Sequence, residues 1–233
     1  MRGSRIGTRA LLAVVLLWTV VPLLWMLLSS LKPTSALTST TPKVTFSPTL
    51  DHYKALFSGG NHVGGYVLNS VLAAGISTII AVGLGTIAGY GLARSHFRGK
   101  DHVAFWIIST RMAPIAAAVL PLFVIFRAAH LLGSIAGLIV AYLSFNLPFA
   151  IWIMNAFFAD LPPSLEEAAM IDGATRWTAF RRIAVPLVLP GIATTAILCL
   201  VFSWNDYAFA ATFSGPDSQT LPIAASQLVT QTT

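Results

Sequence analysis

Apolar residues fall into five long blocks along the chain, separated by shorter polar stretches. The blocks cover approximately residues 10–31, 66–93, 103–129, 134–158 and 187–213. A helix needs about 20 residues to cross the hydrocarbon core of a bilayer, and each block meets this length. The spacing between blocks leaves no room for a large soluble domain. The pattern therefore predicts an all-α, polytopic membrane bundle with five transmembrane helices.

Composition agrees with this prediction and excludes several kinds of site. The 233 residues are 56% hydrophobic and only 9% charged, whereas about 25% of residues are charged in soluble domains. The single cysteine, Cys199, lies in the fifth block, where a small packing role is expected, so disulfides and cysteine-ligated metals are excluded. The five histidines show no metal-ligand spacing, and no cluster of acids, histidines or nucleophiles indicates an enzyme.

Basic residues are unevenly shared between the two predicted sides of the membrane. With a cytoplasmic amino terminus, nine lie inside: Arg2, Arg5, Arg9, Arg94, Arg98, Lys100, Arg176, Arg181 and Arg182. Four lie outside: Lys32, Lys43, Lys54 and Arg127. This distribution obeys the positive-inside rule, so the net charge of +6 reflects topology and indicates no nucleic-acid partner. It places a loop over about 32–65 and a tail over 214–233 on the extracytoplasmic side.

The first block has a second interpretation, because three arginines precede it as in a signal peptide. Its apolar run of about 22 residues is longer than the 7 to 15 of a signal-peptide core, and Thr34-Ser35-Ala36 is a weak cleavage site. An uncleaved first span is the favoured prediction.

A compact polar segment interrupts the apolar pattern between the fourth and fifth blocks, on the predicted cytoplasmic side. Its first 17 residues, 166–182, hold six charges. Ser164 and Glu167 have the spacing of a capping box, which predicts a short helix, and Gly173 is placed to end it. A second short helix is predicted over about 175–185, stopped by Pro186. The composition is typical of a docking surface, although a solvated loop is the alternative.

The spacing of this segment resembles the EAA loop of ABC importer permeases. Glu167-Ala168-Ala169 is followed after three residues by Gly173, and then by Ile183 and Val185-Pro186, where the family has Leu at the position of Val185. Further stretches resemble sugar-uptake permeases, in particular the type usually encoded second of a pair: SPTLDHY at 47–53, NS at 69–70, AGYGLAR at 88–94, TRMAP at 110–114, FNLPF at 145–149 and SWNDY at 203–207.

This resemblance implies a single ABC-transporter transmembrane domain over 1–233, in a bacterial cytoplasmic membrane. Its implied partners are a second homologous permease, two cytoplasmic ATPase subunits and an extracytoplasmic sugar-binding protein. The chain has no G-x-x-x-x-G-K-[ST] phosphate loop, so ATP and Mg²⁺ are expected in the ATPase and no cofactor in this chain. The coupling loop, about 159–186, is expected to contact the ATPase through Glu166, Glu167, Ala168, Ala169, Asp172, Gly173, Trp177, Phe180, Arg181, Ile183 and Pro186.

Four polar residues in or near spans are candidates for the translocation path: Arg111, Asn146, Asn205 and Asp206. Arg111 lies about 12 Å into its span at 1.5 Å per residue, where an arginine costs roughly 2.5–3.5 kcal/mol and should face protein or water. Snorkelling and an ion pair at a permease interface are its alternatives. Asp206 lies about 16 Å away in depth, so a marked kink or tilt would be needed to bring the two together.

Glycines and prolines inside the spans predict packing features. Gly85-x-x-x-Gly89 predicts a close helix contact, and Pro114, Pro121 and Pro148 predict kinks. The resemblance implies six spans with both termini inside, whereas five are predicted here.

The predicted function is a permease of an ATP-driven disaccharide or oligosaccharide importer. A permease for glycerol phosphate or a polyol, or less favourably a secondary transporter, is the alternative, although no internal repeat favours the latter. The sequence does not identify the sugar.

Overall fold

The computed structural model describes residues 2–37, 39, 41, 45–58 and 63–231, and every regular element within them is a helix. The predicted all-α class is therefore confirmed. The chain divides into two compact units, 1–62 and 63–233, which are described separately below. Lys43, predicted in the outer loop, lies outside the described residues.

The described residues of the first unit form one long helix and two short ones. Helix α1 (Arg2–Ser30) begins well before the apolar block and is followed by α2 (Thr34–Leu37) and α3 (Asp51–Ser58). Its apolar part, Leu11–Ser30, is long enough to span a membrane and none of it is buried by this chain. Lys32 is buried just beyond α1, because its ammonium lies over the ring of Trp25, 4.4 Å from the centroid.

The second unit is a bundle built around two long helices, α4 and α7, against which α11 packs. Its helices are α4 (Val63–Arg94), α5 (Lys100–Ser109), α6 (Ile115–Ala128), α7 (Ile135–Ala159), α8 (Ser164–Ile171), α9 (Arg176–Ala179), α10 (Val185–Leu187), α11 (Leu189–Trp204), α12 (Ala208–Phe213) and α13 (Leu221–Gln231).

Helices α1, α4 and α7 are each long and apolar enough to cross a membrane, but the third and fifth blocks are not straight helices. In the third block, residues 100–112 and α6 meet at 91°. Pro114 causes this break, because proline lacks an amide donor and drives the preceding residue, Ala113, into an extended conformation with ψ of 133°. In the fifth region, residues 176–187 and α11 meet at 71°. The five predicted spans result if each bent pair counts as one, and the kink predicted at Pro114 is confirmed.

The α4–α7 contact depends on glycine, as the Gly85-x-x-x-Gly89 spacing predicts. A Cβ atom on Gly85 would lie 2.6 Å from the Cβ of Ala150, and one on Gly89 would lie 2.8 Å from the Cβ of Met154. Both glycines are buried. The two helix backbones thus approach more closely than any larger side chain permits.

The polar tail predicted over 214–233 contains an ordered helix. Before α13, Asn69 Nδ2 at the head of α4 donates to the carbonyl oxygens of Asp217 and Gln219, at 3.0 and 2.9 Å. The backbone amide of Leu221 donates to Ser70 Oγ at 2.8 Å. These bonds place α13 against α4, where Ile223 is buried.

Candidate functional site: a coupling loop and a polar cavity

The segment that resembles the EAA loop folds into two short helices joined by a tight turn. Gly173 ends the first helix in the left-handed conformation, with φ of 91°, which confirms its predicted role. The predicted capping box is wrong: α8 follows Pro163, and no side chain caps its amino terminus. Thr175 caps the second helix instead, since its hydroxyl accepts from the amide of Thr178 at 3.2 Å. That helix continues through a π-helical turn and past Pro186.

Glu166 is buried and does not contribute to an exposed docking surface, contrary to prediction. Its Oε1 accepts two hydrogen bonds from Arg94, from Nη2 at 2.7 Å and Nε at 2.9 Å. Its Oε2 accepts from the hydroxyl of Tyr90. Glu166 is buried because its position in α8 faces the basic last turn of α4, whereas its neighbour Glu167 faces outward.

Arg94 also bonds the end of α7, so one side chain joins three segments. Its Nη1 donates to the carbonyl oxygen of Phe158 at 2.8 Å, and its Nη2 donates to that of Leu161 at 3.0 Å. We call Arg94 and Glu166 the anchor pair. Sequence analysis missed this pair, although an arginine in the last turn of α4 and an acid in the first turn of α8 are a signal that could have indicated it.

Phe180 is also buried rather than exposed, contrary to the expectation that its side chain contacts the ATPase. Its ring lies 4.5 Å from the ring of Tyr90 and 5.2 Å from that of Trp177, measured between centroids. The spacing of three between Trp177 and Phe180 places both on one face of their helix. Phe180 forms the buried part of that face, where it packs with Phe158 in an apolar cluster.

Other predicted loop residues do lie on the outside, and we call them, with Ile171, the coupling surface. Ile171 is 86% exposed and Trp177 is 60% exposed, so this loop presents two large apolar side chains on the outside. The exposed members are Glu167, Ala168, Ile171, Asp172, Gly173, Trp177, Arg181 and Pro186. Ala169 and Ile183 are half-buried. Ile171 was not predicted, although its spacing of four from Glu167 places both on one face of α8.

A cavity of about 260 Å³ lies at the break in the third block. Arg111 and Asp206 both line it, together with the aromatic residues Phe145, Phe202 and Phe209. The marked kink needed to bring the two residues together is present, because the 91° bend after residue 112 and the end of α11 at Trp204 place both at one cavity. Asp206 Oδ2 caps α12 by accepting from the amides of Phe209 and Ala210, both at 3.1 Å.

The other two candidate path residues do not line this cavity. Asn146 is fully buried, and its Nδ2 donates to Ser203 Oγ at 2.7 Å, which links α7 to α11. Asn205 is exposed and donates to the carbonyl oxygen of Val201 at 2.8 Å, within the end of its own helix. Cys199 is buried in an apolar cluster with Val82 and Ala150, as predicted.

Comparisons with known proteins identify the family. A family model described as "Binding-protein-dependent transport system inner membrane component" matches residues 81–232. The trehalose transport system permease protein SugB of Mycobacterium tuberculosis is 39% identical over 208 residues, which are 89% of this chain and 75% of that protein. The diacetylchitobiose uptake system permease protein DasC of Streptomyces coelicolor is 31% identical, over 94% of this chain and 80% of that protein.

A solved structure shares the fold. The crystal structure of a bacterial ABC transporter involved in the import of the acidic polysaccharide alginate superposes with a TM-score of 0.78 at 22% identity, covering 96% of this chain and 79% of that chain. The resemblance of residues 167–186 and of the stretches around them to ABC importer permeases is thereby confirmed. The chain belongs to the family of inner membrane components of binding-protein-dependent transport systems.

Proposed function

We propose that this chain is the permease subunit of an ATP-driven, binding-protein-dependent importer of a disaccharide or oligosaccharide. Two relatives that match most of the chain are named for the uptake of trehalose and of diacetylchitobiose. The remaining assembly in this proposal is a second homologous permease, two cytoplasmic ATPase subunits that bind ATP and Mg²⁺, and an extracytoplasmic sugar-binding protein.

The coupling surface is the observation that carries the proposal. It presents Ile171 and Trp177 to the outside of a loop whose inner side is fixed by the anchor pair and by Phe180. Exposed large apolar side chains bordered by charge are typical of a protein interface. Since the chain has no phosphate-binding loop, the energy for transport arrives through such a contact.

The cavity at Arg111 supports a sugar as the solute. A sugar ring offers hydroxyl groups and an apolar face, and the cavity offers Arg111 and Asp206 beside the rings of Phe145 and Phe209. Its volume of about 260 Å³ suits one ring of a longer substrate. A glycerol phosphate or polyol permease is the second candidate. The cation of Arg111 favours a phosphate-bearing solute, and the carboxylate of Asp206 in the same cavity lining disfavours it.

Transport by the reconstituted complex tests the proposal. The chain, its partner permease, the ATPase and the binding protein are placed in proteoliposomes, and uptake of labelled trehalose, maltose, diacetylchitobiose and glycerol 3-phosphate is measured with and without ATP. We expect ATP-dependent uptake of at least one of the sugars. Uptake of glycerol 3-phosphate alone would support the second candidate, and uptake driven by an ion gradient without ATP would contradict both.

A further inference from the structure

The anchor pair makes the foot of α4, the end of α7 and the start of α8 one connected structure. All of the hydrogen bonds that Arg94 makes to these segments are 2.7–3.0 Å long. Bonds between an ionised donor and an ionised acceptor are about twice as strong as neutral ones. The side chains of Arg94 and Glu166 are 16% and 6% exposed, so water and salt screen their attraction only weakly.

Close packing also holds α4 and α7 together as a single body next to the anchor pair. The buried Gly85 and Gly89 let α4 lie directly against Ala150 and Met154 of α7, without an intervening side chain that could re-pack. Tightly packed helices of this kind transmit displacement rather than absorb it. The start of α8 is therefore connected to the stretch of α7 from Ala150 to Phe158.

Helix α7 reaches the polar cavity from this same body. Its Phe145 lines the cavity wall beside Arg111, and the ring of Phe149, one turn further along, lies 4.2 Å from the guanidinium carbon of Arg111. Contacts therefore run without interruption from the coupling surface, through the anchor pair and α7, to the cavity. Coupling between distant sites travels through such chains of packed side chains and hydrogen bonds.

We infer that Arg94 and Glu166 are positioning residues that transmit movement of the coupling surface to α4 and α7, and so to the cavity. The inference rests on the proposed function, because it requires an ATPase that moves the loop. It assigns the pair a role in coupling that is separate from ATPase binding, since Glu166 is buried, the side chain of Arg94 is only 16% exposed, and the two side chains bond each other.

The test compares ATP hydrolysed with sugar transported in the reconstituted complex. Arg94→Gln removes the charge and shortens the side chain, and Arg98→Gln is the matched control, because Arg98 is exposed and follows α4 in the same predicted cytoplasmic segment. We expect Arg94→Gln to keep its ATPase and its hydrolysis rate within about twofold, while sugar uptake falls by at least about tenfold. Arg98→Gln should keep the parent ratio of uptake to hydrolysis.

Glu166→Gln is a second variant in case Arg94→Gln does not assemble. We expect it to assemble, because glutamine keeps the shape of the side chain and can still accept a hydrogen bond from Arg94. It should raise the ATP consumed per sugar by about threefold or more, and Arg94→Lys should restore part of the loss seen in Arg94→Gln. Equal ratios in the parent and in whichever variant assembles, or a parallel loss of uptake and hydrolysis, would overturn the inference alone. A parent complex that transports no sugar would overturn the proposed function as well.

Discussion

The guanidinium carbon of Arg111 lies 4.2 Å from the centroid of the Phe149 ring, and the ring of Phe202 lies 4.4 Å from the same atom. Two rings from different helices therefore hold one cation. Each cation–π contact contributes about 0.5–1 kcal/mol when exposed and about 2 kcal/mol or more when desolvated. These contacts offset part of the cost of placing an arginine inside a membrane span. They also fix the orientation of Arg111 at the cavity wall.

Replacing Arg111 by lysine should lower sugar uptake, although the charge is kept. The rings of Phe149 and Phe202 pack edge to face with centroids 5.4 Å apart, and the planar guanidinium contacts both of them. A lysine presents a compact ammonium, which lacks the planar face that contacts both rings. We expect the rate of uptake to fall by about tenfold or more with the complex intact. Arg127→Lys is the control, since Arg127 is exposed on the last turn of α6. Unchanged uptake by Arg111→Lys would rule out a role for the ring contacts.

Adding one methyl group at Gly85 should destabilise the bundle, whereas the same change at Gly83 should not. A Cβ on Gly85 would lie 2.6 Å from that of Ala150, but a Cβ on Gly83 meets nothing within 4 Å. Overpacking typically costs about 1–3 kcal/mol. The thermal midpoint of Gly85→Ala in detergent should therefore drop by several degrees, and that of Gly83→Ala should match the parent. A similar drop in both variants would contradict the packing explanation, because the higher helix propensity of alanine would not itself lower the midpoint.

Much of the coupling loop could be predicted from the sequence. Its position, its two helices and the left-handed Gly173 follow from local chemistry and from the spacing of the motif. Local chemistry does not distinguish Glu166 from Glu167, because the two acids are adjacent and only the basic foot of α4 decides which one is buried. The partner, Arg94, is 72 positions away in the sequence. A pair so far apart in the sequence can be identified only from the three-dimensional fold.

The cavity, in contrast, could not be predicted from the sequence. Pro114 predicts a kink, but not a bend of 91°, because the bend depends on how α6 packs afterwards. A depth estimate that assumes straight spans therefore separates Arg111 from Asp206, while the structure places both at one cavity. Asn146 does not line this cavity, for a similar reason. A polar residue in a span faces either a cavity or a neighbouring helix, and only the position of Ser203 on α11 decides between them.

Substituting Gly173 should weaken ATPase binding without unfolding the chain. A Cβ there meets nothing within 4 Å, so the cost is backbone strain at φ of 91°, about 1–2 kcal/mol for an L-residue. If the loop relaxes to relieve the strain, Gly173→Ala should bind the ATPase roughly 5- to 30-fold more weakly. Gly173→Asn should lose less, since asparagine tolerates this conformation.

Gly99 is the matched control for this prediction, because it has the same φ of 91°, open surroundings and a position outside the coupling loop. Gly99→Ala should carry a similar stability cost and bind the ATPase as the parent does. Equal weakening by both substitutions would mean that the effect is general strain and that the turn at Gly173 has no special part in binding.

The Asn146–Ser203 bond should contribute to stability and not to solute selection. Both side chains are buried, and the bond between them is 2.7 Å long. A double-mutant cycle with Asn146→Ala and Ser203→Ala should give a coupling energy of about 0.6 kcal/mol, as is usual for hydrogen bonds between membrane helices. The relative uptake of different sugars should stay unchanged. An altered sugar preference in Asn146→Ala would return this residue to the translocation path.

The most direct test of the central claim, that the coupling surface receives an ATPase, is a detergent pull-down of the tagged chain co-expressed with its transport partners. Glu167→Arg reverses a charge on the coupling surface, and Asp101→Arg makes the same change at an exposed acid in the first turn of α5, outside it. The parent and Asp101→Arg should retain a subunit that mass spectrometry identifies by its phosphate-binding loop, and Glu167→Arg should lose it. Equal retention by all three, or retention by none, would contradict the account.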